Sequence, residues 1–374
     1  MVLADALFFA GFKSGMSDRI TWRPYMKRKI LVVLCIVIAV LAVFILKTFR
    51  DAGEFTTLSP HAACNCVKVN NVPGAEDIAI DNSTGIAFVS SFDRRSFVKG
   101  KFIQGAVFSY NLEGRPELKN LTAGLKFEFS PHGLSFYKST DGRKYVFVIN
   151  HRTLKNYIEI FEFKNNVLAH LESVTGGLVI SPNDVAAAGP RQFYFTNDHG
   201  SVSAFGRSLE DYLQLSRSNV SYYDGKQFRI VADGFGYANG IWVSDDGKNV
   251  YLATTTGKKF YAFNRNADGS LKLAAEKSLG TGGDNIDIDG SGVIRIAGHP
   301  KLLTFTRYAK DEKNRAPSQI LEVVRNASGG YSFREIYLNL GDEVSAASVG
   351  AVYKKRLLIG SVFENFFLDC EMKR

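Results

Sequence analysis

Hydrophobic positions along this chain follow two regimes. From Ile30 to Leu46 every residue is apolar, ILVVLCIVIAVLAVFIL, with Met26-Lys27-Arg28-Lys29 before it and Lys47 after it. The run has the length of one hydrocarbon crossing, about 17 to 25 residues, and exceeds the core of a cleaved secretory signal, about 7 to 15. It also lacks a clear small-x-small cleavage site. Beyond residue 58 the pattern becomes a succession of short β-branched and aromatic runs bounded by Gly, Asn and Asp, without sustained helical periodicity.

One kind of run recurs six times: Gly85-IAFVSS, Lys144-YVFVIN, Arg191-QFYFTND, Lys248-NVYLATTT, Gly292-VIRIAG and Lys355-RLLIGS. Each follows a weaker strand that starts with polar residues, at Glu76-Asp77, His132, Asn183-Asp184, Asn239, Asp284-Asn285 and Ser348. The starts are separated by 56, 51, 56, 45 and 64 residues. A multi-stranded repeat of roughly 40 to 50 residues is the sequence form of a propeller blade. The expected fold class is therefore all-β, a six-bladed β-propeller with an N-terminal transmembrane helix. Turns at Asp141-Gly142, Asp245-Asp246-Gly247-Lys248 and Asp289-Gly290-Ser291-Gly292 fit the hairpins joining the first two strands of a blade.

Charge supports the membrane segment more than a charged partner. The chain of 374 residues carries a net +9, and 1–58 hold eight bases against four acids, so +4 sits there and +5 is spread over the rest. The downstream remainder contains no basic stripe, and no nucleic-acid partner is expected. The basic N-terminal flank predicts a type II signal anchor, single-pass, with the N-terminus cytosolic and everything after Lys47 luminal or extracellular. The expected organisation is a cytosolic tail at 1–29, the anchor at 30–46 in contact with membrane lipid, a linker at 47–58 and the propeller at 59–374. Four sequons agree with that side assignment, at Asn82, Asn120, Asn219 and Asn326. Of the four cysteines, Cys35 lies in the apolar run, leaving Cys64, Cys66 and Cys370 at the two ends of the repeat region. A Cys near the start joined to Cys370 would tie the first and last elements together.

In a propeller the innermost strands surround a central channel, so the polar strand starts converge. Glu76, Asn183, Asn239, Asp284 and Asn285 then form a ring of carboxylate and amide oxygens, with Asp77 and Asp184 deeper. A set of hard oxygens without thiolates suits Ca²⁺, and carboxylates crowded in a channel repel one another without a cation. His132 and His151 belong to the same blade and stand at the channel mouth, where a neutral imidazole can act as a general base and a second can orient it. His199, Tyr237 and His299 are the expected substrate contacts.

These residues resemble the paraoxonase (arylesterase) lactonases, six-bladed propellers with two calcium ions in the tunnel. The resemblance runs from about Cys64 to Glu371. It is carried by Ala75-Glu76-Asp77, Ser130-Pro131-His132-Gly133, Val148-Ile149-Asn150-His151, Asn183-Asp184 with Gly189-Pro190, Thr196-Asn197-Asp198-His199, Ala238-Asn239-Gly240-Ile241, Asp284-Asn285-Ile286 and Leu357-Leu358-Ile359-Gly360-Ser361-Val362-Phe363. It implies a catalytic calcium on Glu76, Asn183, Asn239, Asp284 and Asn285, and a structural calcium on Asp77, Asp184 and the carbonyl of Leu134. It also implies a histidine dyad of His132 and His151, and a disulfide between Cys64 and Cys370, with Cys66 the alternative partner. Gly298 replaces a Cys that animal members commonly carry, and the stretch Ser201 to Ser216 differs, so substrate preference does not transfer.

The expected function is a membrane-anchored, calcium-dependent hydrolase of lactones and aryl esters, with organophosphate hydrolysis as a side activity. Two rivals stand beside it. One is a gluconolactonase-type hydrolase of sugar lactones, which shares the oxygen ring but typically lacks the histidine pair. The other is a non-catalytic, calcium-stabilised luminal propeller acting as a binding module.

Overall fold

A computed structural model describes residues 22–62, 64–326 and 330–373, with side chains from Met26 onward. It divides into two units, Met1–Asp51 and Ala52–Arg374. In the first, helix α1 spans Trp22–Asp51 and ends on an ion pair between Lys47 and Asp51 at 2.6 Å. Its Met26–Asp51 stretch, in which an 18-residue window reaches a mean hydropathy of 3.3, is long and apolar enough to cross a membrane. The predicted run at 30–46 lies inside it. Most of the expected tail at 1–29 lies outside the described residues.

The second unit is the six-bladed propeller expected from the repeats. The innermost strands are Ala75–Asp81, Pro131–Lys138, Pro182–Gly189, Ala238–Val243, Gly282–Ile288 and Ala347–Tyr353. Each touches the next, and the sixth touches the first, closing the ring. The recurring apolar runs are the second strands, antiparallel to the first and buried on both faces. Such double burial is why they read as continuous apolar stretches rather than alternating ones. The predicted turns join first to second strands in blades two, four and five. Between blades the core consists of facing apolar side chains, such as Phe147 and Ile149 against Val185 and Phe193.

Closure uses both ends of the chain. Blade six takes its outer strand, Cys64–Asn70, from the N-terminal side and pairs it antiparallel with Phe366–Met372. The register places Cys66 opposite Cys370, and these two form the disulfide; Cys64 lies opposite Met372 and is a free, buried thiol. The expected Cys64–Cys370 bond is thereby corrected. Cys66 is the direct cross-strand partner of Cys370, whereas Cys64 sits two residues along the strand with its sulfur 3.6 Å from that of Cys66.

Two further expectations change. Strands do not account for everything after residue 58: helices α2 (Arg94–Val98), α3 (Ala204–Leu213) and α4 (Leu302–Lys310) interrupt them. They are too short for their periodicity to stand out. The linker at 47–58 is not free chain, because 47–51 complete α1 and the carbonyl of Ala52 accepts from the Leu302 N–H. The Glu54 carboxylate accepts from the Thr304 N–H at 3.0 Å and its hydroxyl at 2.8 Å. It thus supplies the N-terminal cap that Lys301 does not give α4.

Candidate active site

All six inner strands break register with their neighbour at the positions marked as polar starts. The breaks fall between Ala75 and Asp77, Pro131 and Leu134, Pro182 and Val185, Ala238 and Ile241, Gly283 and Ile286, and Ala347 and Val349. A bulge releases residues from the ladder and re-aims their side chains. Here it frees Glu76, His132, Asn183, Asn239, Asp284 and Asn285 at one end of the strands. Close approach between strands depends on glycine: a Cβ on Gly133 would lie 2.5 Å from Asp184 Oδ1, and one on Gly240 would lie 2.4 Å from the Asp284 carbonyl.

The ring is buried, with Glu76 at 1% exposure and Asn285 at 0%. Its amide groups are oriented by what their nitrogens donate to. Asn285 Nδ2 donates to Glu76 Oε1 at 2.9 Å and to the Glu76 carbonyl. Asn239 Nδ2 donates to Thr255 Oγ1 at 2.9 Å, and that hydroxyl donates to the Gly283 carbonyl. Asn183 Nδ2 faces Asp198 Oδ2 at 3.4 Å. Glu76 Oε2 and the Oδ1 atoms of Asn183, Asn239 and Asn285 are consequently buried acceptors without a hydrogen-bond partner. Buried polar atoms are normally paired, and four unpaired oxygens on four of the six inner strands, around one channel, are the donor set of a hard cation. Asp284 keeps Oδ2 on His299 Nε2 at 2.7 Å.

Deeper in the channel, Asp77 accepts from the Ile78 N–H and, at 2.7 Å, from that of Leu134. Asp184 accepts from the N–H groups of Val185 and Ile241. Leu134 meets this pair through its nitrogen in the recorded hydrogen bonds. Burial, the largest effect, pushes both carboxyls well above the ordinary carboxylate range; Asp184 and Glu76 push Asp77 further, and Glu76 and Asp284 do the same to Asp184. A cation would relieve that repulsion.

His132 and His151 stand as a pair, with Nδ1 of the first 2.9 Å from Nε2 of the second. The tautomers follow from Asn156, which the sequence did not single out. Its Nδ2 donates to the Ile180 carbonyl, so its Oδ1, 2.9 Å away, accepts from His151 Nδ1–H. His151 Nε2 then accepts from His132 Nδ1–H, and His132 Nε2 faces the site 3.4 Å from Glu76 Oε1, presenting a lone pair when the ring is neutral and pairing with Glu76 when it is protonated. Burial, then the neighbouring His132, lowers His151 to about 4, which keeps it neutral at ordinary pH.

The expected substrate contacts lie around the same mouth in different states. Tyr237 meets the His199 ring edge to face at 4.9 Å. His199 has a carboxylate on each nitrogen, Asp198 at 2.7 Å and Asp211 at 3.0 Å. Burial opposes its charge, yet the hydrogen bonds to Asp198 and Asp211 win and raise it to about 9. His299 packs on Phe305 of α4, ring centroids 4.3 Å apart, and keeps a buried, unpartnered Nδ1.

Among the sequons, Asn82, Asn120 and Asn326 are exposed. Asn219 is corrected: its carboxamide is buried and accepts from Asn197 Nδ2 at 3.1 Å and Ser221 Oγ at 3.0 Å. A glycan there would break blade three.

The family model described as Arylesterase matches residues 72–372. Rat serum paraoxonase/arylesterase 2 is 35% identical over 320 residues, covering 82% of this chain and 89% of the relative. Human serum paraoxonase/arylesterase 1 is 33% identical over 322 residues, covering 83% and 88%. Among solved structures, a luciferin-regenerating enzyme superposes with a TM-score of 0.52 at 10% identity, covering 82% of this chain and 95% of that one. A protein titled a putative gluconolactonase gives 0.51 at 13%, covering 83% and 93%. At these identities the structural matches speak for the propeller fold alone.

Proposed function

The chain belongs to the arylesterase family and is an ester and lactone hydrolase, and we propose that it hydrolyses these substrates at a calcium centre in the propeller channel served by the His132–His151 pair. Four buried oxygens without partners, on Glu76, Asn183, Asn239 and Asn285, carry this reading. With Asp284 they would hold the catalytic ion, and Asp77, Asp184 and the Leu134 carbonyl a second, structural one. Bound there, Ca²⁺ supplies Lewis-acid polarisation of the substrate carbonyl and stabilisation of the developing oxyanion.

The chain's own residues do the remaining work. The lone pair of His132 Nε2 takes a proton from water positioned beside Glu76. His132 Nδ1–H faces His151 Nε2, so the positive charge formed on His132 is shared with, or passed to, its partner. Asn156 holds His151 in the tautomer that keeps this line in one direction. Tyr237, His199 and His299 would border the substrate at the mouth. Attack on a lactone opens the ring to a hydroxy acid; attack on an aryl ester releases a phenol. Organophosphate hydrolysis belongs to this proposal as a side activity.

The membrane part of the reading places α1 across a bilayer with Lys27, Arg28 and Lys29 cytosolic and the propeller luminal or extracellular. Glycans on Asn82, Asn120 or Asn326, detected by glycosidase digestion of the expressed full chain, support that side; a protease-accessible propeller on the cytosolic face refutes it. The chemical reading is tested on the detergent-solubilised full chain with phenyl acetate and aliphatic lactones, with and without EGTA. Hydrolysis lost with EGTA and restored by Ca²⁺ is expected. Calcium-independent hydrolysis rejects the calcium centre, and a folded, calcium-loaded sample inert on every ester and lactone rejects the enzyme.

A further inference from the structure

One cation at the channel mouth has no role in the chemistry above. Arg94 opens α2 directly after the Asp93 cap, which itself follows the end of the second strand of blade one. Its guanidinium bridges two blades: Nη1 lies 3.4 Å from the Gly74 carbonyl and Nη2 3.3 Å from the Pro131 carbonyl. Those carbonyls stand two residues before Glu76 and one before His132. Half-buried against Phe92, with 6.0 Å from guanidinium carbon to ring centroid, Arg94 is held at the rim between the ring and the histidine pair. Its recorded hydrogen bonds are to backbone carbonyls, and among the described residues no ion pair to a carboxylate is recorded for it. Its neighbour Arg95 is engaged differently, between the rings of Tyr308 and Phe363 and donating to the Tyr308 carbonyl.

Glu76 and Asp284 are the acidic groups whose charge reaches Arg94, and Tyr237 faces it as well. If a divalent cation occupies Glu76 and Asp284, an assumption resting on the reading above, their charge is balanced and that of Arg94 is left over. A guanidinium always carries its charge and presents a fork of donors that fits a carboxylate. Two long bonds to carbonyls leave most of that fork uncommitted. We propose that Arg94 makes this hydrolase selective for esters and lactones that carry a carboxylate, which it binds at the rim while the ester carbonyl lies over the oxygen ring.

The test compares phenyl acetate with 4-acetoxybenzoate and monophenyl glutarate, which place a carboxylate on the leaving and acyl sides, in the full-length wild type, Arg94→Met and Arg94→Lys. A charge-assisted contact predicts that Arg94→Met lowers the acidic-to-neutral ratio of kcat/KM about tenfold for at least one acidic ester, chiefly through KM, with Arg94→Lys recovering part of it. High salt should shrink the wild-type preference. A ratio changed less than about twofold for both acids overturns the proposal, with Arg94→Lys covering the case in which Arg94→Met does not fold. Calorimetric binding of benzoate to the calcium-loaded protein gives a readout without turnover, and about tenfold weaker binding in Arg94→Met is expected. Unchanged benzoate binding counts against the site. Weaker benzoate binding with unchanged selectivity makes Arg94 a product clamp and overturns the substrate claim. Absence of any ester hydrolysis rejects the hydrolase reading, while the benzoate measurement still decides the anion site.

Discussion

Asn156 orients His151: its Oδ1 accepts from the imidazole Nδ1–H at 2.9 Å, while its Nδ2 is committed to the Ile180 carbonyl at 3.2 Å. That commitment gives the imidazole pair a direction, and with it a lone pair on His132 facing the oxygen ring. Asn156 is a positioning residue. Asn156→Leu should lower kcat about 10- to 100-fold, part of what positioned proton transfer contributes, with little change in KM. The kcat pH profile should also move, because His151 loses the acceptor that favours its charged form. A variant that loses stability but keeps kcat and its pH profile would reduce Asn156 to a scaffold role.

Ring and base should differ in what their loss does. Asp284→Ala is expected to abolish esterase activity and to reduce the rise in Tm on adding Ca²⁺, the deeper ion on Asp77 and Asp184 keeping its own share. His132→Gln should retain measurable hydrolysis and the full Tm response. A ligand present at a thousandfold its Kd stabilises the folded state by ~4 kcal/mol, large enough for calorimetry to resolve. Equal loss of activity in both variants, with both Tm responses intact, would contradict this division.

Register assigns the disulfide, so the cysteines can be separated. Peptide mapping of Cys64→Ser should recover the Cys66–Cys370 link unchanged, because the two residues are cross-strand partners. Replacing Cys64 and Cys66 together removes a closure spanning 304 residues of sequence, and should lower stability by about 2–5 kcal/mol. Recovery of a native Cys64–Cys370 peptide from the wild type would overturn the assignment.

His199 should leave its mark on stability against pH. Its folded value is about 9, above the unperturbed ~6.5. The folded protein holds its proton more tightly, so the stabilisation is fully present below ~6.5 and is lost as pH rises through about 9. The Tm deficit of His199→Gln should therefore be largest near pH 6 and should shrink by pH 9.5. A deficit independent of pH would mean that the ring contributes packing against Tyr237 rather than charge.

By itself the sequence determined the number of blades, the inner strands, the apolar helix and the residues of the oxygen ring. These are repeated, local signals: a buried second strand must be apolar throughout, and a polar start on an inner strand must face the channel. The histidine pair was legible for the same reason, since His132 starts the first strand of blade two and His151 ends the second, at the same edge of the blade. What only the tertiary structure decided concerns contacts between distant residues. Cys66 rather than Cys64 faces Cys370 because strand register, invisible in spacing, sets the partner. Asn219 is a core amide and not a glycan acceptor because a neighbouring strand claims it. Asn156, Glu54 and Arg94 carry no motif at all; each acts through one carbonyl, helix end or blade edge that folding brings to it. Even the calcium reading gained its physical form here, when three amide nitrogens found acceptors and left their oxygens, with that of Glu76, facing nothing in the protein.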